Sequence, residues 1–140
     1  MFSALDISTS ALVAQRVRLN TVSGNIANMS SLKDETGNAK PYQARQVVFQ
    51  THDELSTSSG ASGVKVAEIR HDEAEPLYRY QPDHPLAIKE GERKGYVAYP
   101  NIDLTTQMVD ALEATRAYEA NVGVMEISKN LGRETLSIIA

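Results

Sequence analysis

The chain has 140 residues, 41% of them hydrophobic, which is the size and apolar content of one ordinary soluble domain with a single compact core. Its formal charge of −4 comes from scattered acids and bases with no basic block, so the electrostatic footprint of a nucleic-acid binder is missing. The absence of cysteine excludes disulfides and thiolate metal sites, and it suits a protein that crosses from a reducing to an oxidising compartment.

The opening residues Met1 to Asp6 carry no basic n-region, and the longest apolar stretch nearby, Ala11 to Ala14, is too short for a signal-peptide core or a membrane span. Direct membrane insertion is not expected, and any export from the cytoplasm follows an uncleaved route. A first helix is predicted from Ser3 to Asn28 or Met29, because Ser30, Ser31, Asp34, Gly37 and Asn38 crowd the following stretch with helix-stopping residues. Leu5, Ser8, Leu12, Gln15, Leu19, Val22, Ile26 and Met29 step in threes and fours along it and form one stripe. Asn25 and Asn28 fit a helix stop or an interface equally well.

The middle reads as a small β region of two or three strands. Pro41 opens Tyr42 to Gln50, rich in β-branched and aromatic residues, and Val64 to Ile69 alternates apolar and polar with period two. Ser56 to Gly63 is too small and polar to pack and reads as a flexible loop. A third extended piece, Pro76 to Tyr80, runs into Pro82 and Pro85, which restrict it to an edge strand or irregular structure. Lys89 to Gly95 is charged, and Tyr96 to Pro100 then leads to a helix cap at Asn101 or Asp103.

From there a last helix of about 35 residues, roughly 50–55 Å long, is predicted. Leu104, Met108, Ala111, Thr115, Tyr118, Val122, Met125, Lys129, Gly132, Leu136 and Ile139 repeat the heptad step of the first helix. Two such stripes, separated by about seventy residues of non-helical sequence, cannot be buried locally; each needs the other or a helix from a second chain. The expected fold is therefore mainly α with a small β-rich middle, its long terminal helices paired as a coiled coil. The expected segments are 1–30, 31–102 and 103–140, with the two helices forming one terminal body.

The residue types that carry chemistry are present without the spacing that chemistry needs. His52, His71 and His84 fall in different segments and fit no compact metal-ligand motif. The pairs Asp53-Glu54 and Asp72-Glu73 lack an accompanying nucleophile and read as exposed turns. Gly60, Gly63, Gly91 and Gly95 form no phosphate-cradling loop. No cofactor, metal or catalytic residue is expected.

The terminal segments carry a family signature. Leu12, Gln15-Arg16, Arg18-Leu19-Asn20 and Ser23-Gly24-Asn25-Ile26-Ala27-Asn28 resemble the N-terminal motif of bacterial flagellar rod and hook proteins. Gly95 to Asp103, Met108-Val109 and Arg116 to Val122 resemble the C-terminal motif of the proximal-rod branch of that family, as do Pro41-Tyr42, Gln46 to Phe49 and His84-Pro85. The resemblance spans essentially the whole chain. It departs from the family at Met29 to Leu32, where a threonine followed by Pro-Gly-Tyr is common, and at Leu86 to Lys94, which is longer than the usual acidic link.

What the resemblance implies is a structural subunit of the flagellar basal-body rod, exported by the flagellar type III apparatus and assembled helically in the periplasm as part of the drive shaft and export-channel wall. Its implied partners are other rod proteins, the adaptor at the rod base, copies of itself and, during assembly, the export apparatus. The expected assembly residues are Leu5, Leu12, Leu19, Val22, Asn25, Ile26 and Asn28 on the first helix, and Leu104, Met108, Ala111, Tyr118, Asn121, Val122, Met125 and Leu136 on the last. Tyr118, with Arg116, Glu119 and Asn121 beside it, has the mixed apolar and hydrogen-bonding composition of an interface anchor. The alternative is a soluble adaptor whose hairpin of terminal helices binds one flagellar or secretion partner at fixed stoichiometry.

Overall fold

The computed structural model describes residues 3–140; Met1 and Phe2 of the predicted 1–30 segment lie outside the described residues. Its elements are α1 (Ala4–Ala27), β1 (Arg45–Ser56), β2 (Ser62–His71), β3 (Leu77–Tyr80), β4 (Tyr96–Tyr99) and α2 (Leu104–Ile139). α1 begins where Ser3 donates its backbone N–H and its Oγ to the Asp6 carboxylate, at 2.8 and 3.1 Å. It ends where Asn28 donates both its backbone N–H and its Nδ2 to the Gly24 carbonyl, at 3.1 and 2.9 Å. α2 begins at Asp103, whose carboxylate accepts from the backbone N–H of Thr105 and Thr106 and, at 2.7 Å, from the Thr106 hydroxyl.

The β region is larger and better ordered than the sequence suggests. β1 and β2 form an antiparallel hairpin that pairs from Arg45↔His71 to Ser56↔Ser62. The expected flexible loop is a closed turn: Thr57 N–H donates to the Ala61 carbonyl at 2.8 Å, Thr57 Oγ1 accepts from Ala61 N–H at 3.1 Å, and Gly60 supplies the positive φ of +84°. Asp53 and Glu54 therefore lie on an exposed strand and not in a turn. A fourth strand joins the two or three expected, because Tyr96 to Tyr99 pairs with β3 from Leu77↔Tyr99 to Tyr80↔Tyr96 in a separate two-stranded sheet. Its alternation of β-formers turns Val97 fully inward.

α1 and α2 lie side by side and antiparallel, since Arg18 reaches Asp110 and Glu113 while Asn25 reaches Gln107. The hairpin crosses another side of α1. Its tip is fixed where Val64 N–H donates to Ser10 Oγ at 3.0 Å, and its base where the Arg45 backbone meets Asn25. The expected fold is thus corrected on both counts. Helices of 24 and 36 residues cover fewer than half of the chain, which is a mixed α and β structure. The helix surfaces that meet are not a coiled-coil seam, because the residues buried on them are the small or polar Ser8, Ala14, Asn25 and Ala114, with Val22, in place of interlocking leucines. Small side chains let the two helices approach closely, and α1 must also serve the hairpin, so no single stripe of it is reserved for α2.

Candidate assembly surface

The side chains at the centre of the molecule tie three elements together. Asn25 is 2% exposed, and every polar atom of its amide is used. Nδ2 donates to the Arg45 carbonyl and to Gln107 Oε1, both at 2.9 Å. Oδ1 accepts from Arg45 N–H at 2.8 Å and from the Tyr42 hydroxyl at 3.3 Å. One α1 residue thereby fixes the start of β1 and the first turn of α2. Asn28 acts separately, closing α1 and accepting the Ser31 hydroxyl at 3.0 Å. One turn before Asn25 is Thr21, and beyond it Arg18 bridges Asp110 and Glu113 at 3.0 Å each from the same guanidinium nitrogen.

Beside this node runs an open cleft of about 580 Å³, lined by Arg18, Asn25, Arg45, Phe49, Asp103 and Asp110 among others. Its charges are of both signs. Of the threonines and aspartates in its lining, Asp103 and Thr106 are bonded to each other at the start of α2 and Asp110 is paired with Arg18. The three histidines stand on separate segments, His52 in β1, His71 at the end of β2 and His84 in the turn after β3, where its Nδ1 accepts Leu86 N–H at 3.1 Å.

The expected assembly residues divide by place. Val22 and Asn25 are buried between elements of the same chain, and Leu12, Leu19, Ile26, Asn28, Ala111, Asn121, Val122 and Met125 are half-buried. Leu5, Leu104, Met108, Tyr118 and Leu136 are exposed. On α2 the inward stripe runs through Gln107, Ala111, Ala114, Ala117, Asn121, Met125 and Ser128, and it is rotated from the apolar heptad read in the sequence. A second apolar stripe, at Val124, Ile127, Leu131 and Ile138, faces away from α1, with exposures of 46%, 61%, 59% and 84%. Its spacing of three, four and seven was present in the sequence, but the stronger-looking heptad masked it. From residue 129 to 140 every residue is exposed, because the antiparallel register carries this part of α2 past the start of α1.

Known proteins share this arrangement of sequence. Residues 5–30 match the family described as "Flagella basal body rod protein", and residues 93–138 match "Flagellar basal body rod FlgEFG protein C-terminal". The chain is 41% identical over 138 residues to the flagellar basal-body rod protein FlgC of Yersinia enterocolitica, covering 99% of this chain and 97% of the relative. It is 36% identical over 151 residues to that of Borreliella burgdorferi, with 99% and 97% coverage, and 37% identical over 149 residues to that of Bacillus subtilis, with 98% and 97% coverage.

Proposed function

Because this chain belongs to the FlgC family of flagellar basal-body rod proteins and is a structural subunit of the basal-body rod, we propose that it polymerises through the outward faces of its two helices. The observation that carries this reading is the exposed length of α2, where Ile127, Leu131, Leu136, Ile138 and Ile139 stand in solvent with no partner element beside them among the described residues. A torque-bearing shaft needs each subunit to hold axial and lateral neighbours at once, and a helix with one face on its own chain and another free can do both. In this reading segments 1–30 and 103–140 form the assembling body and 31–102 the part that decorates it. Neighbouring rod proteins, the adaptor at the rod base and further copies of the chain cover the apolar faces. The subunit travels through the flagellar type III apparatus without signal cleavage and takes its place in the periplasmic rod, whose wall also lines the export channel. It acts through surfaces and performs no catalysis.

The test is complementation of a strain lacking its own subunit. The paired substitution Ile127→Gln and Leu131→Gln, and separately Tyr118→Ala, should abolish or strongly reduce rod incorporation and motility. The purified Ile127/Leu131 variant should keep the melting temperature of the parent, since these two side chains are 61% and 59% exposed in the free chain, and Tyr118→Ala, at a side chain only 38% exposed, should impair incorporation more than it lowers thermal stability. Loss of thermal stability with normal incorporation would reverse the assignment.

A further inference from the structure

Two surfaces of this chain that do not meet each other have matching chemistry. The first is a groove of about 460 Å³ beside the β3–β4 sheet, with Tyr80, Pro82 and Ile88 as its apolar surface and Lys89 and Lys94 at its sides. Its shape is fixed by backbone. Ile88 N–H donates to the Tyr96 carbonyl at 2.9 Å and the Ile88 carbonyl accepts Gly95 N–H at 2.8 Å, which clamps the lysine-bearing segment to β4. Gly95 sits at φ +83°, and a Cβ there would come within 2.8 Å of the Tyr80 ring, so glycine is what allows the ring to lie across the turn. Tyr80 packs edge-on against Tyr96 at 5.3 Å and is still 66% exposed. No acidic residue lines the groove, and neither lysine forms an ion pair among the described residues.

The second surface is the outward stripe of α2. Glu134 lies three residues after Leu131 and four before Ile138, so it shares their face, and it too has no ion pair among the described residues. Within one chain α2 packs on α1 and touches neither β3 nor β4.

We infer that the β3–β4 groove of one copy receives the Ile127, Leu131 and Ile138 stripe of a second copy, with Glu134 seated between Lys89 and Lys94. The inference rests on the polymerising reading and names the contact that would build it. The aromatic and aliphatic floor supplies buried area to the stripe, while the lysines and the glutamate select the partner and the register. Groove and stripe are different patches, so the contact is heterologous: each copy offers a groove to one neighbour and a helix to another, and growth does not stop at a dimer.

The cysteine-free sequence makes the test direct. A full-length chain carrying Lys94→Cys and Glu134→Cys, oxidised at a concentration where the parent self-associates in sedimentation, should give a ladder of dimer, trimer and larger species. The control carrying Lys94→Cys and Lys129→Cys, with the second thiol on the opposite, exposed side of α2, should not. In the same assay Lys89→Glu with Lys94→Glu should weaken self-association about tenfold, and adding Glu134→Lys should restore it. No ladder beyond the control, or no effect of the charge reversals, or no rescue, overturns the contact. A parent chain that polymerises yet gives no ladder loses this contact and keeps the polymerising reading, which the complementation experiment judges separately.

Discussion

Asn25 shows how much of the architecture one polar side chain can hold. It makes four hydrogen bonds to three residues, Tyr42, Arg45 at the start of β1 and Gln107 in α2, from a position 2% exposed, so Asn25→Ala leaves the Arg45 amide and carbonyl and the Gln107 amide oxygen without their partner. The expected cost is about 2–4 kcal/mol, read as a lower denaturation midpoint with an unchanged slope. A leucine there, similar in size but unable to bond, should be no better. Gly63 is a second such position, for a steric reason. A Cβ on it would lie 2.9 Å from Ser10 Oγ and 3.1 Å from Leu55 Cβ, where the hairpin tip presses on α1. Gly63→Ala should therefore destabilise by about 1–3 kcal/mol, and hydrogen exchange should show the loss first at the hairpin tip. In the sequence both residues looked like punctuation: Asn25 as a possible stop, Gly63 as part of a loose loop. Their roles depend on what the fold brings against them, and neighbouring residues along the chain do not encode that.

At the level of elements, the helix starts were legible and the helix faces were not. The start at Ser3 and a cap at Asn101 or Asp103 were readable because a short polar side chain before an apolar run suits a helix start wherever it occurs, and the structure puts the second cap on Asp103. At Asp103 the Thr106 hydroxyl, helped by the backbone amides of Thr106 and Thr105, holds the carboxyl below the usual carboxylate range, and Ser3 does the same for Asp6. A carboxyl whose folded value is lowered contributes stability that is fully present above its unfolded value of about 4, and that is lost as pH falls through the lowered folded value. Asp103→Ala should accordingly lower the melting temperature at neutral pH, and the gap from the parent should close in strong acid, as followed by circular dichroism. The face of α2 that packs on α1 was not legible, because a heptad of Leu, Met and Tyr looks like a core seam. In the structure alanines and Asn121 pack inward while several of the larger residues face solvent, an inversion that suits a helix whose larger side chains are kept for other chains.

For the whole molecule, the antiparallel register of α1 and α2 decides the outcome. It joins the helices near the Asn25 node and the Arg18 bridge, and it carries the last dozen residues of α2 beyond any support from α1. The expected coiled coil gives way to a mixed fold because α1 is shared between a helix and a hairpin, and a shared helix cannot keep a continuous knobs-into-holes stripe. By itself the sequence determined what local chemistry and motif carry: the two long helices and where they start, the central parts of the first two strands, the lack of cysteine, and the rod-family signature at both ends. Those features arise from residues close along the chain or from motifs compared position by position. Only the tertiary structure decided that Tyr96 to Tyr99 pairs with β3, that Asn25 joins three elements, and which stripe of α2 faces outward. Each of these is set by packing between segments twenty to ninety residues apart, where burial of one surface excludes burial of another and propensity has no say.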